Sequence, residues 1–424
     1  MRIVEWNRDK EIALERKASG AEKKIERFVR RVFEDIKKNG DSALLRYIRK
    51  YDGWNPRSAE DIYISKDEVK KRFKGIDRNL KVALDVAKRR IERFHKGTVP
   101  KPFRIKEKGI ELVFRVVPLE RVGIYVPGGK ALYPSTLLMN AIPAKTAGVK
   151  EVFVATPSAP DSLNPAILYS AIISDIDGIF LMGGAHAIGS FVFGTETVPA
   201  VDKVTGPGNI YVAVAKREAS KFVGIDMFAG PSEILVLADG SVPARFVAVD
   251  LLSQAEHDED AVPVLVTTSK VYAEEVIKIL KELLSDSPRK KIAAKSIYGR
   301  GMCFIVENID DGIEIVNRFA PEHLSLAIEK PERVLDKCRN AGTIFIGSYT
   351  PESIGDYIAG PNHTLPTGGM ARFQSALSSA DFVKAINVVS FDKKSLEKLG
   401  KHAIHIAECE GLFAHASAIK ERLR

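Results

Sequence analysis

Six of the eight histidines lie beyond residue 250, and several stand beside groups that could share a chemical task. Gln254 and His257 in SQAEHDED are three apart on a predicted helix, so both side chains can point to one side of it. Asp356 and His363 fall in the loop-like stretch SIGDYIAGPNH, where backbone freedom could aim them at a shared centre. Imidazole, carboxylate and amide oxygen are acceptable zinc ligands, although the loose spacing also suits ordinary surface and capping residues. The cysteines, Cys303, Cys338 and Cys409, are odd in number and form no C-x-x-C, which supports neither a disulfide framework nor a thiolate cluster. Any metal site must therefore use His, carboxylate or amide ligands.

Glu322 and His323 follow Pro321 in RFAPEHLSLAI, at the entry to a predicted strand. A carboxylate beside an imidazole can move protons as a base pair. Neighbours on a regular strand point to opposite faces, so both reach one site only where the backbone is irregular, as the proline encourages. Near the end, His402 and His405 have the spacing of a ligand pair, but Ile404 and Ile406 around them read as a half-buried helix. Glu410 and His415 flank Gly411, which would break that helix and free both side chains to turn inward.

Glycine-rich turns after strands form the other group of candidates: VPGG at 126–129, GGAHAIG at 183–189 and GPGN at 206–209. Exposed backbone N–H groups and helix N-termini in such turns attract phosphates. None fits G-x-G-x-x-G, and each alone is ordinary turn chemistry; only their joint placement in one α/β unit suggests a nucleotide.

These residues need a scaffold, and its outline is legible. The chain has 424 residues, 45% hydrophobic and 28% charged, enough for two or more cores. Residues 1–110 read as a helical N-terminal region, from the three- and four-residue spacing in IERFVRRVFEDI and VALDVAKRRIERFH. From 111 the runs LVFRVV, VGIYV, VFVA, GIFLM, ILVLA, VPVLV and CFIV alternate with helical segments, which predicts a parallel-sheet α/β body. The Gly/Pro-rich AGPSE at 229–233 divides it into units 111–230 and 231–375, and 376–424 reads as a helical tail. No apolar run reaches the roughly 18–20 residues of a membrane span, and the charged start lacks the character of a signal peptide, which predicts a cytoplasmic protein. The net charge of +9 falls largely on Lys/Arg-rich helical faces mixed with acids, without interleaved aromatics, so nucleic acid is not the expected partner.

Taken in order, VGIYVPGGKALYPSTLLMNAIPAKTAGV, KVTGPGN, DMFAGPSEILVLAD, LLSQAEHDEDA, RFAPEHLSL, GSYTPESIGDYIAGPNHTLPTGG and EGLFAHA resemble the histidinol dehydrogenase family. The resemblance implies two incomplete Rossmann-like domains with N- and C-terminal arms, in a homodimer whose arms cross to the partner. It implies two successive oxidations of L-histidinol to L-histidine through the aldehyde, with two NAD reduced and one zinc per subunit. Carried over by motif, the zinc ligands are Gln254, His257, Asp356 and His415, and the proton-moving pair is Glu322 and His323. Substrate contacts fall on Ser232, His363, Glu410 and His323 besides the metal ligands, and NAD contacts on Tyr125, Asn209 and His186. At His186 the family usually carries Gln. The rivals are a paralogue acting on another polar alcohol, a metal-dependent hydrolase, and a non-catalytic nucleotide-binding protein. No cysteine lies in a chemical motif, which speaks against a thiohemiacetal route.

Overall fold

The computed structural model describes residues 1–6, 22–128, 133–228 and 230–424. Gly129 of the VPGG turn and Ala229 of AGPSE lie outside the described residues. Two six-stranded sheets carry the chain. In the first, the parallel strands Arg121–Tyr125, Glu151–Ala155, Gly178–Phe180, Lys203–Thr205 and Gly224–Ile225 lie in the spatial order third, second, first, fourth, fifth. The second repeats that order with Glu233–Ala238, Val262–Thr267, Met302–Ile305, His323–Ala327 and Thr343–Ile346. Each is a doubly wound sheet in which, among the described residues, no sixth strand follows beside the fifth, the incomplete Rossmann-like arrangement expected. Helices cover both faces, so a strand such as Glu233–Ala238 is buried at every residue and reads as a continuous apolar run.

The N-terminal region supplies the remaining strand of each sheet, and so is not helical throughout. Tyr63–Ser65 pairs antiparallel with Gly178–Phe180, and Arg2–Glu5 pairs parallel with Met302–Ile305. A second correction concerns LVFRVV. It belongs to Ile110–Pro118, which forms a hairpin with Phe103–Glu107 around Gly109 (φ +77°) and pairs antiparallel over nine residues with Val383–Phe391. The expected helical tail therefore begins with a strand. Only then come the helices Lys393–Cys409 and Phe413–Lys420, separated at Gly411 (φ +73°). On the first of these, Ile404 is half-buried and Ala407 buried as the half-buried reading expects, while His402, His405 and Ile406 are exposed in the single chain.

Helix Arg78–Lys96 seals the seam between the halves. Asp77 starts it by accepting from the Asn79 and Leu80 N–H groups (2.9 and 3.0 Å). Its Leu84, Ala87 and Ile91 pack on Leu138, Met139 and Ile142 of the first half. Arg90 Nε donates to the Ile358 carbonyl of the second half at 2.6 Å.

A candidate active site between the sheets

A cleft of about 380 Å³ opens where the two sheets meet, lined by Ser232, Gln254, His257, Glu322, His323, Asp356 and His363 from the second half and by Asn209 from the first. The second half presents the N-terminal ends of its strands: Glu233 and His323 are the first residues of adjacent strands. Helices run antiparallel to their strands, so the C-terminus of helix Ala244–Ala255 arrives at the same end and carries Gln254. His257 lies beyond that helix, in a turn closed by its own N–H on the Gln254 carbonyl (3.2 Å). Asp356 sits on a short helix, Glu352–Tyr357, rather than in a loop. Gly355 allows this helix to seat, because a Cβ there would stand 2.6 Å from the Phe345 ring.

Glu322 and His323 do reach one site. Ala320 adopts a left-handed conformation (φ +51°) before Pro321, and regular strand pairing begins only at His323. Glu322 Oε2 accepts from the Glu233 N–H at 2.8 Å and lies 3.7 Å from His323 Nδ1. That nitrogen also lies 2.9 Å from the Glu233 carbonyl, which can only accept, so Nδ1 carries the proton. Nε2 is left as a buried acceptor with no hydrogen-bond partner among the described residues, 3.8 Å from Asp356 Oδ1. His363 repeats the device, with Nδ1 2.9 Å from the Asp356 carbonyl. Burial holds both imidazoles down at about 4 and lifts the Asp356 carboxyl to about 7. Burial also raises Glu322 well above the carboxylate range, helped by the nearby Glu233 and Asp356, and opposed by the Glu233 N–H. His257, exposed at the mouth but surrounded by protein, is lowered by desolvation.

Glu352 was not singled out by sequence reasoning. Its carboxyl, with His257 and Asp356, offers ligand atoms within 4.8 Å of one another. Gln254 is satisfied when its amide nitrogen donates to Glu352, 3.0 Å to Oε2, leaving its carbonyl oxygen 3.3 Å from the Glu233 N–H. The i, i+4 relation of Glu352 to Asp356 on PESIGDY was the available signal. Among the described residues no Lys or Arg side chain pairs with Glu322, Glu352 or Asp356. A buried acidic cluster without a basic partner, beside a helix C-terminus, suits a divalent cation.

The first half faces the seam with the opposite, C-terminal ends of its strands. Tyr125 ends the first strand, and Gly206–Asn209 follow the fourth, at the point where strand order reverses. Gly206 (φ +107°) is obligatory, since a Cβ would lie 2.1 Å from the Tyr125 carbonyl oxygen. Its N–H donates to Asp226 (2.8 Å) and its carbonyl accepts from Lys216 (2.8 Å), which is buried in an ion pair with Asp226. Asn209 caps helix Ile210–Ala219 through the Tyr211 and Val212 N–H groups (3.0 and 3.2 Å). A second cavity, about 540 Å³, opens here, lined by Tyr125, His186 and Asn209 together with Phe28, Tyr51, Asp52 and Tyr211. Asn209 borders both spaces. Tyr125, pushed up to about 12 by burial, accepts from the Gly184 N–H at 3.1 Å.

Glu410 and His415 are the candidates that the single chain does not bring in. Both are exposed on the tail, and neither lines the cleft.

The sequence pattern of the family described as histidinol dehydrogenase matches residues 15–423. The chain belongs to the histidinol dehydrogenase family. It is 46% identical over 403 residues to the histidinol dehydrogenase of Geobacter metallireducens, covering 95% of this chain and 92% of that one. With that of Prochlorococcus marinus strain MIT 9312 it shares 44% over 428 residues, 100% and 97% of the two chains. The crystal structure of histidinol dehydrogenase from Elizabethkingia anophelis superposes with a TM-score of 0.90 at 41% identity, covering 96% and 93%. Among the described residues no helix is long and apolar enough to cross a membrane.

Proposed function

We propose that the chain is a zinc-dependent enzyme of histidine biosynthesis that oxidises L-histidinol to L-histidine through L-histidinaldehyde, reducing two NAD, in the cytoplasm. The observation that carries this reading is one cleft holding three kinds of cation donor, Gln254, His257 and Asp356, beside a buried base pair, with Asn209 lining both it and the cavity of about 540 Å³. Zinc bound there would supply a Lewis-acidic grip on the amine and imidazole of the substrate. Ser232 and His363 line the same cleft as further substrate contacts.

The chain's own groups account for the proton movements. With Nδ1–H held by the Glu233 carbonyl, His323 Nε2 is the acceptor for the hydroxyl proton as the carbon-bound hydrogen departs with its electron pair. The aldehyde then needs a second oxygen. Glu322, whose carboxylate is held by the Glu233 N–H, takes a proton from the water that adds to it, and His323, once it has released the first proton to solvent, accepts the hydrate's proton in the second oxidation. The fourth metal ligand, His415, and the substrate contact Glu410 come in this reading from the partner's tail, in a homodimer whose arms are exchanged. Exposed apolar groups on these arms support it: Ile406 is 61% exposed, Phe413 68% and Val389 64%.

The test is NADH formation from L-histidinol with and without a chelator, with metal analysis of Asp356→Asn and His257→Ala. Each variant should lose zinc as well as activity. Full zinc occupancy in both would reject the ligand assignment, and turnover of another polar alcohol in place of histidinol would reject the substrate.

A further inference from the structure

The cavity of the first half contains a polar pair that the chemistry above does not use. Asp52, its side chain 5% exposed, lies at the start of helix Gly184–Phe193, where Oδ2 accepts from the Gly183 N–H and contacts His186 Nε2, both at 2.9 Å. A carboxylate oxygen that accepts there requires His186 to carry its proton on Nε2, so Nδ1 is an acceptor in the neutral ring. The His186 ring is fixed by stacking on Tyr47 and Tyr51, with centroids 5.9 and 6.4 Å apart. Tyr51 and Tyr211, 49% and 43% exposed, each meet Phe28 edge to face and give the cavity an aromatic wall.

The acidic cluster and base pair occupy the other cleft, and Asn209 borders both. A dinucleotide with its reacting ring at the base pair therefore lays its adenosine end here, against the aromatic wall. The polar groups there are Asp52 Oδ1, whose partner oxygen is already engaged, and His186 Nδ1, which accepts when the ring carries its single proton on Nε2. Two acceptors match two hydroxyl donors. They oppose a phosphate, which brings acceptors and negative charge to a carboxylate. The helix N-terminus that could have welcomed that phosphate is already capped by Asp52. Among the described residues Lys24 is the basic one lining the cavity, and it is exposed, which suits the diphosphate passing to solvent.

We propose that Asp52 and His186 form a ribose-diol reader that admits the unphosphorylated dinucleotide and rejects its 2′-phosphorylated counterpart. This rests on the reading that the cavity takes NAD, and it assigns the choice of cofactor to two residues. The His at 186 is the sharper reader, because a glutamine amide could turn a donor toward the ligand.

The experiment is calorimetric titration of the full-length, zinc-loaded protein with NAD, NADP, 5′-AMP and adenosine 2′,5′-bisphosphate. The wild type should prefer NAD to NADP, and 5′-AMP to the bisphosphate, by about 10- to 100-fold, the size of one hydrogen bond to a charged group. Asp52→Asn keeps a carbonyl oxygen for the Gly183 N–H and presents an NH₂ where the free carboxylate oxygen stood. It should weaken NAD and strengthen NADP, a change of opposite sign for the two ligands that a purely structural role for Asp52 would not produce. His186→Gln should narrow the preference in the same direction, and Lys24→Ala should weaken NAD and NADP alike. Equal changes for both dinucleotides in Asp52→Asn, or no change with an unaltered melting temperature, overturn the inference while leaving the cofactor assignment standing. Failure of the wild type to bind either NAD or 5′-AMP overturns both.

Discussion

The two halves of this chain are built on the same strand order, yet they turn opposite ends toward the seam. The first half offers the C-terminal ends of its strands, where Tyr125, Gly206 and Asn209 gather around the starts of two helices. The second offers the N-terminal ends, where Glu233 and His323 meet the C-terminus of helix Ala244–Ala255. At the other end of the second sheet Asp239, just past Ala238, accepts from the Ser241 and Glu329 N–H groups, both at 2.9 Å, and ties the turns there together. Helix starts carry partial positive charge and helix ends partial negative charge. One fold used in two orientations thus turns helix starts toward one side of the seam and a helix end with an acidic cluster toward the other, and in the proposed reaction the dinucleotide takes the first side and the metal the second.

Glu322→Gln should break the catalytic side most severely. Oxidation of supplied histidinaldehyde is expected to slow by about 10²–10⁴-fold, while the first oxidation, which needs no added water, stays measurable. Comparable losses on alcohol and aldehyde would remove the division of labour between Glu322 and His323.

Glu352→Gln sharpens the comparison by touching the metal side alone. Loss of the carboxylate facing Gln254 should weaken zinc by about 10- to 100-fold in chelator competition. Affinity for 5′-AMP should stay within about twofold. A variant with unchanged zinc affinity would make Glu352 a bystander, and a parallel loss of 5′-AMP binding would show that the two sides are not separable.

A smaller effect is expected from mixing subunits. Glu322→Gln and His415→Asn, each nearly inactive alone in the full two-step reaction, should recover about half of wild-type activity in that reaction in an isolated heterodimer, since exchanged tails place both lesions in one site and none in the other. An inactive heterodimer would return His415 to its own subunit.

A further effect, on stability and not on activity, concerns the seam itself. His95, fully buried on helix Arg78–Lys96, is held down at about 4 by desolvation. The unfolded chain therefore binds the extra proton between pH 6.5 and about 4, so stability is full above that window and falls as pH drops through it. The contribution is on the order of 3 kcal/mol at the acid end. In urea unfolding at a series of pH values, His95→Leu should flatten the acid slope relative to wild type; an unchanged slope would show that His95 is already solvated.

Apolar runs flanked by turns were enough to read the parallel strands, because a strand covered on both faces must be apolar at nearly every position. The same cue misassigned LVFRVV, whose partner Val383–Phe391 is more than 260 residues away and leaves no local mark. The helix expected to carry both Gln254 and His257 stops at Ala255, so the two side chains converge by a turn and not by helical spacing.

By itself the sequence determined the fold class through its periodicity, pointed to the family through the resemblance of its ordered motifs, and showed which residue types were available for chemistry. Only the tertiary structure decided which end of each sheet faces the cleft and which nitrogen of His323 is free. It also decided that Glu352 backs Gln254, that Asp52 is fastened to His186, and that Glu410 and His415 remain outside their own chain's site. Each of these depends on contacts between segments far apart in the chain, and such contacts are set by how sheets and helices pack in space, which no local pattern of residues records.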